Sequence, residues 1–283
     1  MRPAVLSADR HVVREDGANR GSRRIPEETP IALTYNGGTY AVMMATPMDL
    51  EDFAIGFSLS EGLIQSREDI KSLDIVEVDH GIELRMWLAS SRADEITARR
   101  RQIAGPTGCG LCGVDSIAEA MRPAATVGLG GSVSGRQVMA AVRSMAPLQK
   151  MNLETRAVHA AAFWTPSDGI ACLREDVGRH NALDKLSGAL MLARLSPSEG
   201  VVLLTSRVSV EMVQKTATLG APVMVAVSAP TALAIRVAEE AGITLIAVAR
   251  ADSFEVFSHP SRISVDSDIG ERKVGNEAWS ERH

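Results

Sequence analysis

The sequence predicts an α/β protein in two parts, with a smaller α+β unit ahead of an α/β unit built on parallel strands. Three observations carry this expectation. From Val201 onward, short apolar runs alternate with amphipathic stretches, the pattern of strands covered on both faces by crossover helices. Before about residue 140, short alternating segments surround an Asn-Gly turn and flank one helical stretch. The 283 residues, 45% hydrophobic and 23% charged, suffice for one large or two modest cores. The expected organisation is a tail at 1–24, an α+β part at 25–140, an α/β domain at 141–265 and a second tail at 266–283. Both tails are polar and without periodicity, so they are expected to be flexible and to lie outside the fold.

Taken in order, Ile31 to Tyr35 and Thr39 to Met44 read as a hairpin, because Asn36-Gly37-Gly38 supplies residues that accept positive φ. Between Pro47 and Glu61, Leu50, Phe53, Ala54 and Phe57 recur at three- and four-residue spacing before Gly62, which predicts an amphipathic helix with a glycine stop. Two strands are expected at Ile75 to Val78 and Ile82 to Trp87, and a small-residue strand at Ala157 to Trp164. The later unit reads as strand Val201 to Leu204, helix Val208 to Leu219, strand Val223 to Val227, helix Thr231 to Ala241 and strand Ile243 to Val248. Phe254 to Phe257 alternates like an edge strand. Ligands of such sheets sit at the carboxyl ends of the strands, which here carry Thr205-Ser206-Arg207, Ser228 to Thr231 and Arg250 to Ser253.

The formal charge of −5 gives no general attraction to nucleic acid, so a polyanion must be held by local arginines, backbone amides or helix ends. Charges interrupt the N-terminus before a signal-peptide stretch forms, and no apolar run reaches membrane-spanning length; a cytoplasmic protein is expected, with no membrane partner. Three cysteines in such a chain do not make a disulfide framework, and Cys172, in the run Ile170 to Leu173, reads as core.

Cys109 and Cys112 are different, because they stand in Gly105-Pro-Thr-Gly-Cys-Gly-Leu-Cys-Gly113, where glycine strips steric cover from both sulfurs. Three readings compete. A structural zinc site needs four ligands, and His159 and His180 are the remote recruits available. A zinc deaminase needs His-x-Glu, which the chain lacks. A thiolate nucleophile fits best, aided by a helix expected to start near Asp115 or Ser116 and by Arg99-Arg100-Arg101; no metal is expected.

Elsewhere, Arg174 to Leu186 packs charges at a strand-to-helix junction around Gly178, which marks Glu175, Asp176, Arg179 and His180 as a candidate anion site, with Asp184 and Lys185 expected as exposed helix charges. Ser206 and Arg207, with Ser209, sit at a helix start and suit a phosphate. His159 lies among alanines, where it serves either as a satisfied interior histidine or as a proton donor or ligand contact.

In order along the chain, Gly108 to Gly113, Val158 to Ala162, Arg174 to Lys185, Thr205 to Arg207 and Phe254-Glu255-Val256-Phe257-Ser258-His259 resemble the formate dehydrogenase accessory sulfurtransferase family, FdhD. The resemblance spans roughly Ile31 to Ile263. It implies a cytidine-deaminase-like three-layer α/β domain, a homodimer, and a sulfurtransferase acting through a cysteine persulfide in molybdenum cofactor biosynthesis. Its implied partners are a cysteine desulfurase, the apo formate dehydrogenase and the bis-molybdopterin guanine dinucleotide cofactor. By motif position Cys109 carries the sulfur, Cys112 assists or resolves it, and Phe254 to His259 lie in the cofactor-binding stretch. Ser206, Arg207, His159, Arg179 and His180 complete the expected cofactor contacts.

Overall fold

A computed structural model describes residues 2–89 and 122–264. The chain opens with a hairpin of β1 (Val5–Arg14) and β2 (Gly17–Pro26), paired antiparallel from Val5 opposite Pro26 to Arg14 opposite Gly17. This corrects the expectation of a flexible tail at 1–24. Nearly every side chain of the hairpin is exposed, so no apolar period announces it, and the backbone ladder itself is the main bond. Arg23 donates to the Thr155 carbonyl at 3.2 Å, and Arg24 reaches Glu154 at 3.2 Å, fastening the hairpin to the body.

A four-stranded sheet follows, built from β3 (Thr29–Tyr35), β4 (Gly38–Ala45), β5 (Ile70–Val78) and β6 (Gly81–Leu88) in the order β4-β3-β6-β5. The β3–β4 turn places Asn36 at φ 50 and Gly37 at φ 79, the left-handed conformations anticipated for a two-residue hairpin. Helix α1 (Leu50–Ser60) covers one face of this sheet, and its Phe53, Ile55 and Phe57 pack with Ile31, Leu33, Leu84 and Met86. The other face stays open to solvent.

After residue 122 the chain forms β7 (Val133–Ser134), α2 (Gly135–Met145), α3 (Lys150–Thr155), β8 (His159–Thr165), β9 (Gly169–Asp176) and α4 (Arg179–Ala193). It continues through β10 (Val201–Leu204), α5 (Val210–Leu219), β11 (Val223–Ala226), α6 (Ala232–Ala241), β12 (Thr244–Ala247), β13 (Glu255–Val256) and β14 (Ile263–Ser264). Six of these strands make a sheet in the order β13-β12-β11-β10-β8-β9. Only β10, β11 and β12 are mutually parallel; β8, β9 and β13 join antiparallel, so the expected parallel sheet is a mixed one. The strand–helix alternation read from Val201 describes those three strands, whereas β8 and β9 form a hairpin and β13 turns back along the edge, as the Phe254 to Phe257 pattern indicated.

Side chains of this sheet divide by period two between two cores. Val202, Leu204, Met224, Ala226 and Leu245 meet α4, α5 and α6 on one side, while Val201, Leu203, Val223, Val225 and Ile246 meet α2 on the other. Burial on both faces removes the polar alternation, which is why these strands read as continuous apolar runs.

Helix α4 is the central element, packed between the six-stranded sheet and α1. Gly56 and Gly188 let the two helices touch backbone to backbone: a β-carbon on Gly56 would overlap the Asp184 carbonyl, and one on Gly188 the Asp52 carbonyl. Enclosure on both sides buries every residue from Asn181 to Leu190. Asp184 and Lys185 are therefore not the exposed helix charges expected. Lys185 lies 2.6 Å from Asp176, both side chains being 0% exposed, and donates to the Thr46 carbonyl at 2.9 Å. Asp184 meets Lys215 at 2.7 Å and accepts from Ser60 at 2.6 Å. Burial without a partner would cost each charge several kcal/mol, roughly what pairing and hydrogen bonding must offset.

Candidate functional site

The parallel strands β10, β11 and β12 end on one edge of the sheet, and two features of the fold bring further residues there. Because β8 runs the opposite way, its first residue, His159, lies on that edge and pairs with Asp176, the last residue of β9. The turn after Asp176 starts α4, so Gly178, Arg179 and His180 arrive at the same place. This is the carboxyl edge that the strand pattern designated.

A cavity of about 680 Å³ opens there, lined by His159, Thr205, Val227, Ala249, Arg250 and Ala251 from the strand ends and by Val142, Arg143, Met145, Gln149 and Asn152 from α2 and the segment after it. Its volume is that of a small-molecule site. Thr205 closes the floor by donating to the Ala160 carbonyl at 3.3 Å and accepting from the Ala160 amide at 2.8 Å. Burial, and secondarily the positive charge of Arg179, pushes His159 below the ordinary histidine pKa. Its imidazole is thus neutral near pH 7, a donor and acceptor rather than a cation.

Beside it, the buried Arg179 Nε has no hydrogen-bond partner among the described residues. His180 contacts Glu211 of α5 at 3.1 Å, and burial followed by Arg179 holds its pKa down as well. Glu175 is occupied structurally: its carboxylate accepts the amides of Met151 and Asn152, each at 2.8 Å, at the start of α3, and burial raises its pKa. Asp176 likewise binds Lys185 together with the amides of Thr46 and Gly178, so both acids of the junction support the site rather than face a ligand.

The remaining expected residues divide. Arg207 is exposed beyond β10, whereas Ser206 is buried and donates to the Arg207 carbonyl at 3.0 Å, which turns its hydroxyl from any phosphate. Ser209 precedes α5 and bonds Glu211 at 3.2 Å instead of capping. The stretch Phe254 to His259 spans the sheet edge from end to end. Phe254 packs toward Gly135 of α2 near the carboxyl edge; Glu255 and Val256 pair with Ala247 and Ile246; Phe257 packs on the α4–α6 side. Ser258 is buried and holds the Ile243 carbonyl at 2.7 Å, and His259 lies at the opposite end, 2.9 Å from the Glu239 carbonyl. One ligand in the cavity does not meet all six.

Cys109 and Cys112, the Arg99 to Arg101 run and the helix start at Asp115 or Ser116 lie outside the described residues. The chain leaves the four-stranded sheet at Ala89, and at Arg122 it sits beside α1, with Arg122 donating to the Ser60 carbonyl at 3.0 Å. Cys172 is half-buried against the core and burial raises its pKa, the opposite of an activated thiol. Among the described residues no three metal-ligating side chains gather into a site, and no helix is long and apolar enough to cross a membrane. Sequence reasoning missed Arg143 in the cavity wall and the Asp176–Lys185 and Asp184–Lys215 pairs behind it. Arg143 carried no local signal; Asp184 and Lys215 lie 31 residues apart, and Lys185, close in sequence to Asp176, reads as a surface charge until the distant Thr46 carbonyl helps to enclose it.

Residues 26–264 match the family described as FdhD/NarQ. The chain belongs to that family. As a member of FdhD/NarQ, it is 51% identical over 255 residues to the sulfur carrier protein FdhD of Agrobacterium fabrum strain C58, covering 90% of this chain and 94% of that one. It is also 51% identical over 261 residues to the sulfur carrier protein FdhD of Brucella abortus biovar 1, covering 91% and 97%. A crystal structure described as a formate dehydrogenase accessory protein from Desulfotalea psychrophila superposes with a TM-score of 0.74 at 26% identity, covering 93% of this chain and all of that one. Most of the β1–β2 hairpin precedes the residues matched to FdhD/NarQ.

Proposed function

We propose that this chain is a sulfur carrier in the maturation of formate dehydrogenase, with Cys109 as the sulfur-bearing residue. The observation that carries the reading is its likeness, over nine-tenths of the chain, to relatives named sulfur carrier protein FdhD, joined to a Cys-x-x-Cys pair set among glycines. The Cys109 thiolate attacks the outer sulfur of a cysteine desulfurase persulfide; the donor cysteine leaves as a thiolate, and Cys109 becomes the persulfide. Attack by the Cys112 thiolate on the inner sulfur releases hydrosulfide and leaves a Cys109–Cys112 disulfide, which a dithiol reductant reopens. The released sulfur goes to the bis-molybdopterin guanine dinucleotide cofactor, held as cargo. The cytidine-deaminase-like layering, the cytoplasmic location and the homodimer belong to the same reading.

Three features of the described residues support a place for the cargo in this reading. The carboxyl edge offers a roomy cavity and a neutral His159, and behind it lies the buried Arg179 Nε, which has no hydrogen-bond partner among the described residues. Arg207 and Phe254 flank that edge, and Arg179 and His180 start the helix beneath it. Incubation with a desulfurase and cysteine, followed by peptide mass spectrometry, tests the sulfur step: one added sulfur on the Cys109 peptide is expected. An unmodified Cys109 peptide, with the desulfurase itself loaded, contradicts it.

A further inference from the structure

The β1–β2 hairpin is the part of the fold that burial does not explain. A ribbon of two strands is at best marginally stable in water, and this one keeps both faces wet along nearly its whole length. Its root is nonetheless fastened. The Glu27 amide donates to the Ala4 carbonyl at 2.9 Å, Arg2 donates to the Val78 and Asp79 carbonyls at 3.1 Å each, and Arg23 and Arg24 reach the end of α3. From Asp9 to Ser22, by contrast, no side chain makes a hydrogen bond or ion pair among the described residues.

The charge of this ribbon is opposite to that of the chain. Residues 1–26 hold six arginines against three acids, while the protein as a whole carries −5. Residues directly opposed in an antiparallel pair share a face, so Arg10 and Arg14, opposite Gly21 and Gly17, lie on one face that bears no carboxylate. Asp9 is on the other face, and Glu15 and Asp16 form the turn between the strands. Both guanidinium side chains are exposed, with glycine across from each to leave them uncovered. They stand roughly 13 Å apart along β1, at about 3.3 Å per residue.

The ribbon also has a definite place. Arg23 and Arg24 hold Thr155 and Glu154 at the end of α3, and Gln149 and Asn152 near the start of that short helix line the cavity at the carboxyl edge. Arg2 binds the Val78–Asp79 end of the four-stranded sheet, whereas the chain leaves toward Cys109 from the opposite end, at Ala89. A protein docked on the ribbon is thus brought to the cargo side of the molecule.

We propose that the β1–β2 ribbon is a docking arm for the protein that takes delivery of the cargo, and that Arg10 and Arg14 grip an acidic strip on that protein's surface. The identity of the partner rests on the sulfur-carrier reading; the acid-seeking chemistry of the arm does not. A long polyanion such as duplex DNA would meet the excess of acids in the rest of the chain, so a discrete acidic strip on a folded protein suits the arm better.

Binding of the full chain to purified formate dehydrogenase apo-enzyme, followed by biolayer interferometry at low and at physiological salt, tests this. The double variant Arg10→Glu with Arg14→Glu is expected to bind about ten- to a hundredfold more weakly at low salt, mainly through slower association, and to lose most of the parent's salt dependence. Arg236→Glu, an equal charge reversal on the exposed face of α6, should match the parent, and Arg10→Glu alone should not. Both arm positions are exposed and unbonded, so the melting midpoint should be unchanged. A parent chain that does not bind the apo-enzyme, a folded double variant that binds as the parent does, or a short duplex DNA held more tightly than the apo-enzyme through these arginines would overturn the proposal. Sulfur loading of Cys109 from the desulfurase should be equal in parent and double variant; loading lost while apo-enzyme binding is kept would put the sulfur donor on the arm and overturn the assignment. A parent chain that never loads sulfur while its binding to the apo-enzyme still depends on Arg10 and Arg14 removes the carrier reading and leaves the arm standing.

Discussion

The four-stranded and six-stranded sheets solve the same burial problem differently. On the first, Ile31, Leu33, Leu84 and Met86 are sealed under α1 while Val42, Met44 and Trp87 stay exposed at 60%, 47% and 52%. On the second, both faces are apolar and covered. A sheet covered twice has its edge of strand ends as its remaining access, and that is where the cavity, His159, Arg179, Arg143 and Arg250 collect. The helix seam of α1 and α4 ties the two sheets together, so the single-faced sheet buttresses the other.

Breaking the seam should have the largest effect. Gly188→Val would drive a side chain into the Asp52 backbone, and a loss of more than about 4 kcal/mol, seen as failure to show a cooperative melt, is expected. A Gly188→Val chain that melts like the parent would mean that the helices do not meet as described. Next in size, Lys185→Ala should cost about 3–5 kcal/mol in denaturant titration, because it strands the Asp176 charge in the interior. The double change Lys185→Met with Asp176→Asn should recover part of that, since the isolated charge is gone.

The two faces of the four-stranded sheet give a sharper contrast. Leu84→Ala on the covered face should cost about 3 kcal/mol, and Trp87→Ala three residues later on the open face less than about 0.5 kcal/mol. Equal costs would show that the open face is covered by a partner in solution.

The smallest effect is on pH. His159 and His180 are depressed mainly by burial and then by Arg179, so the unfolded chain takes their protons first. Above about pH 6.5, the ordinary histidine value, both states are neutral and these groups leave stability unchanged; below it, stability falls until the lower folded-state values are passed. Melting scans across that window should show an acid-side decline that His159→Gln reduces. An unchanged decline would place the cause in other groups.

Much of this fold was legible because its signals are local. The Asn36-Gly37 turn, the spacing of Phe53 and Phe57, and the apolar runs of β10, β11 and β12 each follow from a period or a turn residue within a short window. The carboxyl edge of the sheet followed from strand direction alone. What escaped reading depends on how the elements enclose one another. Lys185 looks like a surface charge until Asp176 and the Thr46 carbonyl enclose it, and Asp184 needs Lys215 and Ser60. The β1–β2 hairpin escaped for another reason: it has two wet faces and hence no hydrophobic period. Ser206 carried the right residue type at a strand end, but its hydroxyl is consumed by the neighbouring carbonyl. The cysteine pair was read as chemistry from its glycines alone, and it lies outside the described residues.

The most direct measurement is formate dehydrogenase activity in cells that lack their own FdhD/NarQ protein and are supplied with this chain or its Cys109→Ala form at equal abundance. The parent chain should restore activity, and the alanine form should leave it at the level of the empty cells. Full restoration by the alanine form would contradict a sulfur-carrying role for that residue.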